Sequence, residues 1–177
     1  AQLILISIGL FLFVVTYLYY PNMYKDKLIE KKDLKETTNG DQMTAFENME
    51  YRGLYDFDKP FIVKSEEARI LNEKPNIVFM KNMHVILHLS DGRIVNISSD
   101  QGKYNKLTYN CYFQKNVVAR DGETQITSKN LDLLATENSA KIYNDVNLNY
   151  STGTLRADNI DYNFETKFFK VSMFDDK

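Results

Sequence analysis

Along most of this 177-residue chain, from Tyr51 onward, apolar and polar positions alternate with a period of two. That is the signature of strands with one face turned inward. In VNLNY (146–150) the alternation holds at every step, and MHVILHL (83–89) places Met83, Val85, Leu87 and Leu89 on one face. Asp91-Gly92 and Asp121-Gly122 open the next runs, DGRIVNIS and DGETQITS, and Asp-Gly between alternating runs is a strong hairpin signal. Thr152-Gly153 does the same after Tyr150. All three prolines lie at or before position 75, so the remaining backbone is free to form uninterrupted ladders.

One phrase recurs: SEEARIL (65–71), SSDQGKYN (99–106), SKNLDLL (128–134) and ADNIDYN (157–163). Its first residues, Ser65, Ser99, Ser128 and Ala157, are spaced by 34, 29 and 29 positions. Eighteen residues after the first three stand Met83, Val117 and Val146, within KNM, KNV and NDV; the fourth reaches Val171 after fourteen. A fixed period near thirty predicts stacked supersecondary units.

Counting by twos assigns a common face: Phe61, Val63 and Ser65; Val95, Ile97 and Ser99; Ile126 and Ser128; Leu155 and Ala157. Three residues beyond each of these small residues the parity changes. The face continues through Ala68 and Ile70, Gly102 and Tyr104, Leu131 and Leu133, Ile160 and Tyr162. Val85, Leu87, Val117, Val146 and Leu148 join it from the return strands. A one-residue slip at the same place in every copy predicts a bulge or bend there, because one extra residue flips a strand's faces.

Two architectures suit such units: a sandwich with a sealed core, or an open-ended jellyroll with an apolar groove. Ser65, Ser99, Ser128, Ala157, Ala68 and Gly102 stand where a closed core wants Leu or Phe. They either leave room along the interior or are met by aromatic rings from neighbouring strands. Spacing alone does not separate the two.

The first residues differ in kind. LILISIGLFLFVVTYLYY (3–20) carries no charge and, as a helix, spans about 27 Å, close to a bilayer's hydrocarbon thickness. Tyr17, Tyr19 and Tyr20 cluster at its end like an interfacial belt, and Pro21 closes it. No small-x-small cleavage site follows, which favours a retained anchor over a signal peptide. Residues 22–50 are polar and lack sustained periodicity, with ETTNGDQ (36–42) reading as open loop. The expected organisation is therefore a transmembrane helix over 1–21, a flexible polar linker over 22–50 and a β-domain over 51–177. The five lysines between 25 and 35 nominally hold that side of the span in the cytoplasm.

Recognisable reaction chemistry is missing. The net charge of −2 gives no field to attract nucleic acid. Cys111 is the single cysteine, so no intrachain disulfide forms. Gly102-Lys103 lacks the upstream glycine of a phosphate-binding loop, and no Gly-x-Ser-x-Gly elbow exists. His84 and His88, four apart on a strand, share the solvent face with no thiolate or carboxylate motif beside them. No enzyme, metal site or cofactor is expected.

An N-terminal anchor, a polar spacer and repeated strand pairs together resemble the LptC family, the membrane-anchored component of bacterial lipopolysaccharide export. YRGLYDFDKPFIVKSEEARIL (51–71) is similar to that family's first strands. RIVNISSDQGKYNKLTYNCYFQKNVVA (93–119) and TLRADNIDYN (154–163) are similar to its central and late repeats. The resemblance implies a mainly β fold: one N-terminal transmembrane helix followed by a twisted, OstA-like β-jellyroll of stacked antiparallel strand pairs in the periplasm. It implies a helix in the inner membrane beside the LptF/LptG transporter, whose ATPase is LptB, and transfer of lipopolysaccharide to the soluble bridge protein LptA. On that reading the shared face lines a lipid groove. The 51–65 edge joins the transporter's jellyroll and the 164–174 edge joins LptA. The rival expectation is an anchored scaffold with a sealed core that docks proteins and never touches lipid.

Overall fold

The computed structural model describes residues 36–38, 43–55, 59–89 and 91–173. They form one antiparallel sheet in which every strand pairs with the next in sequence. Its strands are β1 (Glu36–Thr38), β2 (Met43–Tyr55), β3 (Lys59–Leu71), β4 (Ile77–His88) and β5 (Ile94–Asn105). Then come β6 (Cys111–Asp121), β7 (Thr124–Leu134), β8 (Ser139–Tyr150), β9 (Gly153–Asn163) and β10 (Phe169–Ser172). One 3₁₀ turn, Ala135–Glu137, links β7 to β8. Among the described residues no helix is long and apolar enough to cross a membrane. The 3–20 segment lies outside them.

The turns follow the sequence signals. Gly92 (φ 83°) and Gly122 (φ 58°) adopt the left-handed conformation that favours glycine. Tyr150 pairs with Gly153, leaving Ser151 and Thr152 as the turn.

Each long strand is divided near its middle. Asn48, Asn82, the Lys115-Asn116 pair and the Asn144-Asp145 pair all have positive φ, on β2, β4, β6 and β8 respectively. Asparagine tolerates this region better than most residues. Opposite them stand the Ser-x-x slips of β3, β5, β7 and the equivalent in β9. The ladder register shifts at this level between β5 and β6, β6 and β7, β7 and β8, and β8 and β9. The extra residue belongs to β6 and β8, where two consecutive residues are left-handed. Asn116 Nδ2 donates to Asp100 at 2.7 Å, Asn144 Nδ2 donates to Asn130 Oδ1 at 2.9 Å, and Asn82 Nδ2 donates to Glu66. A crease thus crosses the sheet.

The crease separates a hairpin half, which carries the β4–β5 and β6–β7 turns, from a second half, which carries the β5–β6 and β9–β10 turns. The sheet folds along it, so that the halves pack inner face to inner face. Tyr51 of the hairpin half meets Tyr104 of the second half, with ring centroids 5.5 Å apart, and Phe61 meets Tyr109 at 5.9 Å. At the rim, Asp91 of the β4–β5 turn faces Lys167 of the β9–β10 turn at 3.7 Å. The result is jellyroll-like.

Two expectations need correction. The segment read as a spacer, 22–50, contains β1 and the first eight residues of β2. Its alternation is hidden because Phe46 and Met49, both packed against the core, are three apart across left-handed Asn48. The 51–65 stretch is also not an edge as a whole. Residues 59–65 belong to β3, which is paired on both sides. Among the described residues, β2 is paired on one side alone beyond its pairing with β1, which involves only Thr44–Phe46. At the other end β10 pairs with β9 alone among the described strands.

Candidate functional site

The apolar interior is built level by level. Beside the crease, on the hairpin half, Val63, Val85, Ile97 and Ala119 are buried in successive strands. On the second half Ala68, Met80, Phe113, Leu131, Ile142 and Ile160 are buried, with Tyr104, Cys111 and Leu133 one level further out. At the crease the large and small residues alternate across the pairs Met49–Ser65, Met83–Ser99, Val117–Ser128 and Val146–Ala157. Each of the four small residues that open the repeats is therefore paired with a larger side chain. Methionine and valine from the partner strands occupy the space, rather than aromatic rings. Gly102 shows how tightly: an added Cβ would collide with Met83 Sδ and lie 2.9 Å from Tyr112 O.

Aromatic rings concentrate at one end. Phe61 lies 5.8 Å from Tyr51 and 6.3 Å from Tyr104 between ring centroids. Gly53 gives the Phe61 ring its place, since a Cβ there would fall 2.6 Å from Phe61 Cε1. Beside this cluster an apolar cavity of about 30 Å³ is lined by Phe61, Leu87, Tyr109, Cys111, Leu133 and Phe164 among others. That volume holds about two water molecules and no acyl chain.

The interior is not equally covered. Phe61, Val63, Val85, Leu87, Ile97, Tyr104, Val117, Leu131, Leu133, Val146 and Ile160 are buried. Ile70, Val95, Ile126, Leu148 and Leu155 are half-buried. The partly covered positions lie toward the two ends: Phe46 and Ile70 on β2 and β3, and Ile126, Leu148 and Leu155 on β7, β8 and β9. At this later end Phe169 of β10 and Met173 just beyond it are also exposed, at 58 % and 66 %. An open depression of about 510 Å³ lies there, lined by Val146, Ala157, Arg156, Asp145, Asp158 and Met173 among others. Phe61 and Leu87 of β3 and β4 line one cavity with Cys111 and Leu133 of β6 and β7, whereas Ile126, Leu148 and Leu155 of β7–β9 are only half-buried among the described residues.

Polar groups inside are few and fall into two kinds. Ser99 Oγ donates to Gln101 O at 2.7 Å and Ser128 Oγ donates to Asn130 O at 3.0 Å, tying the slip to itself. Ser65 Oγ is buried with no hydrogen-bond partner among the described residues, and Tyr104 Oη is buried beside Tyr51. Burial, reinforced by nearby Tyr51, pushes the Tyr104 phenol far up, so it stays a neutral donor at physiological pH. Burial likewise pushes the Cys111 thiol up, which leaves it unreactive. No group of three or more His, Cys, Asp or Glu among the described residues could hold a metal ion. His84 and His88 stand half-buried on the outer face, His88 against Pro60 O at 3.1 Å.

Sequence reasoning missed Met49, Val78, Met80, Phe113, Ala119, Ala140 and Ile142 as interior residues. The alternation in CYFQ (111–114) already placed Phe113 with Cys111, and ENM (47–49) repeats KNM (81–83).

The described residues thus form a creased antiparallel, jellyroll-like sheet around an apolar interior. Over residues 8–173 the chain matches the family described as "Lipopolysaccharide-assembly, LptC-related", and it belongs to that family. Its role is thus in lipopolysaccharide transport, and the family is a transport component rather than an enzyme family. A search of curated proteins finds no match to the chain.

Proposed function

We propose that this chain is an inner-membrane-anchored conduit that receives lipopolysaccharide from the LptF/LptG transporter and passes it to LptA. One observation carries the reading: a single apolar face runs through successive strands and is only partly covered toward the two ends of the described sheet. Fully desolvating an acyl chain of about twelve carbons is worth up to roughly 10 kcal/mol, at about 0.8 per methylene. A lining that replaces bilayer contacts makes transfer nearly neutral, so direction comes from the ATPase LptB. The flank of β2 offers unpaired backbone to the transporter's jellyroll, and β10 offers it to LptA. Continuing the sheet at β10 would place a new layer over Ile126, Leu148 and Leu155. Photo-crosslinkers at Ile97, Ile126 and Val146 should capture lipopolysaccharide, whereas one at His88 should not; equal labelling at all four ends this reading.

The filled interior favours a second reading, a scaffold that docks its partners and never admits lipid. It expects no capture at any interior position while binding to LptA persists.

A further inference from the structure

Away from the crease, side chains at the strand ends tie the two halves together. Asp91, in the β4–β5 turn of the hairpin half, lies 3.7 Å from Lys167 Nζ in the β9–β10 turn of the second half. Arg93, whose carbonyl closes the same β4–β5 turn by accepting from Leu89 N at 2.9 Å, donates to the Tyr162 hydroxyl on β9. Each tie is braced within its own half. Arg93 Nε donates to Asp91 at 2.9 Å, and the guanidinium also pairs with Asp121. Across the seam, Asn163 Oδ1 accepts from Glu165 N at 3.0 Å and from Thr166 N at 2.8 Å, which fixes the turn that carries Lys167. Lys167 itself is held at φ 58°, a conformation uncommon for a lysine. The same two turns border the apolar cavity between the halves. Leu87 lines it from β4, two residues before Leu89, and Phe164 lines it from the β9–β10 turn, its ring edge-on to Tyr162 at 5.0 Å. Cys111, 1 % exposed, forms part of the cavity wall.

We propose that Asp91, Arg93, Tyr162 and Lys167 form a latch that holds the two halves shut over this cavity, and that its release opens the interior along the seam opposite the crease. A sheet folded along one line and tied at its free ends opens where the ties are weakest. The rows beside the crease are buried and apolar, with Met83, Val117 and Val146 almost wholly covered, so parting them exposes apolar surface to water. The latch residues are partly exposed and ionic, and when parted they regain water at little cost. Opening at the seam is therefore a local event that leaves the sheet ladders intact. The latch is a property of the fold and does not rest on the conduit reading, since lipid and protein partners would both meet the same seam.

Cys111 is the single cysteine of the chain, so it reports the opening directly. The full chain in phospholipid nanodiscs is treated with N-ethylmaleimide, and the rate of Cys111 labelling is read from the intact mass. Lys167→Ala and Arg93→Ala should each raise that rate by about two- to fivefold, the worth of one partly exposed ion pair. Lys167→Arg, which keeps the pair, should label as wild type does. About 1 M salt should speed the wild type and leave Lys167→Ala nearly unchanged. Lys81→Ala is the control: it removes a 2.9 Å pair with Glu67 that joins β3 to β4 and does not span the two halves, and it should leave the rate alone. Unchanged labelling in both latch variants overturns the inference, and so does an equal rise in Lys81→Ala. Wild-type labelling whose urea dependence equals that of the whole-chain melt overturns it as well, because Cys111 would then be reached only by global unfolding.

Discussion

Val63, Val85 and Ile97 occupy the same places in their repeats as Ile126, Leu148 and Leu155, two residues from the crease on the hairpin half. The first three are sealed and the second three are half-exposed. Residue type does not explain the difference, since all six are aliphatic. What differs is the surroundings: Phe61 and Leu87 of the earlier strands meet Tyr109, Cys111, Leu133 and Phe164 of the second half, and the later strands border an open depression. In a stacked architecture burial belongs to the neighbour as much as to the residue, and terminal units are left incomplete.

The largest contrast should come from charge. Val85→Arg buries an unpaired cation and should unfold the domain, at a cost above about 4 kcal/mol. Leu148→Arg, at the equivalent position, should cost under about 1 kcal/mol because the guanidinium reaches water. Urea melts of the two variants measure this, and equal costs would erase the distinction between the ends. Next come the aromatic truncations. Phe113→Ala should cost about 3–5 kcal/mol, since Phe113 is wholly buried, while Phe169→Ala should cost under about 0.5 kcal/mol. Adding the strand-donating partner should make Phe169→Ala deleterious if β10 is the docking edge.

A smaller effect tests the crease filling. Gly102→Ala should cost about 1–3 kcal/mol by overpacking against Met83 and the Tyr112 carbonyl. Met83→Val in the same chain should recover part of it, and a double-mutant cycle reads the coupling.

The smallest effect lies at the rim. Arg93 Nε donates to Asp91 at 2.9 Å, Arg93 also pairs with Asp121, and Lys167 approaches Asp91 across the two halves. These groups are partly exposed, so Arg93→Ala should lower the melting temperature by no more than about 2 °C, and by less in about 1 M salt. Arg93 beside it, and then Lys167, hold the Asp91 carboxyl below its ordinary range. The folded form thus releases this proton more readily than the unfolded one. The contribution is complete above the ordinary aspartate range and drains away as pH falls from there through the lowered value of the folded form. A pH series on wild type and Asp91→Asn checks the sign.

Much of the fold was legible because period-two alternation and Asp-Gly turns are local. Ser65, Ser99, Ser128 and Ala157 marked the crease, and the parity change after each reports a real displacement of the inner face. Legibility failed where local order was broken. Asn48 interrupts the alternation of β2, so Met43–Glu50 read as spacer. The filling of the interior stayed open for another reason. Within one strand a serine level looks like a gap, but cross-strand pairing brings Met83 or Val117 beside it. The offset between layers, which decides which end stays uncovered, involves residues such as Phe61 and Tyr109, 48 positions apart, and no short-range pattern encodes it.

The crease has a mechanical consequence. Because Asn48, Asn82, Asn116 and Asn144 fix left-handed backbone at one level in alternate strands, and three of their amides tie to the strand before, the fold line acts as a spine. Strands cannot peel back singly without breaking those ties. Any widening of the interior must tilt one leaf as a whole against the other.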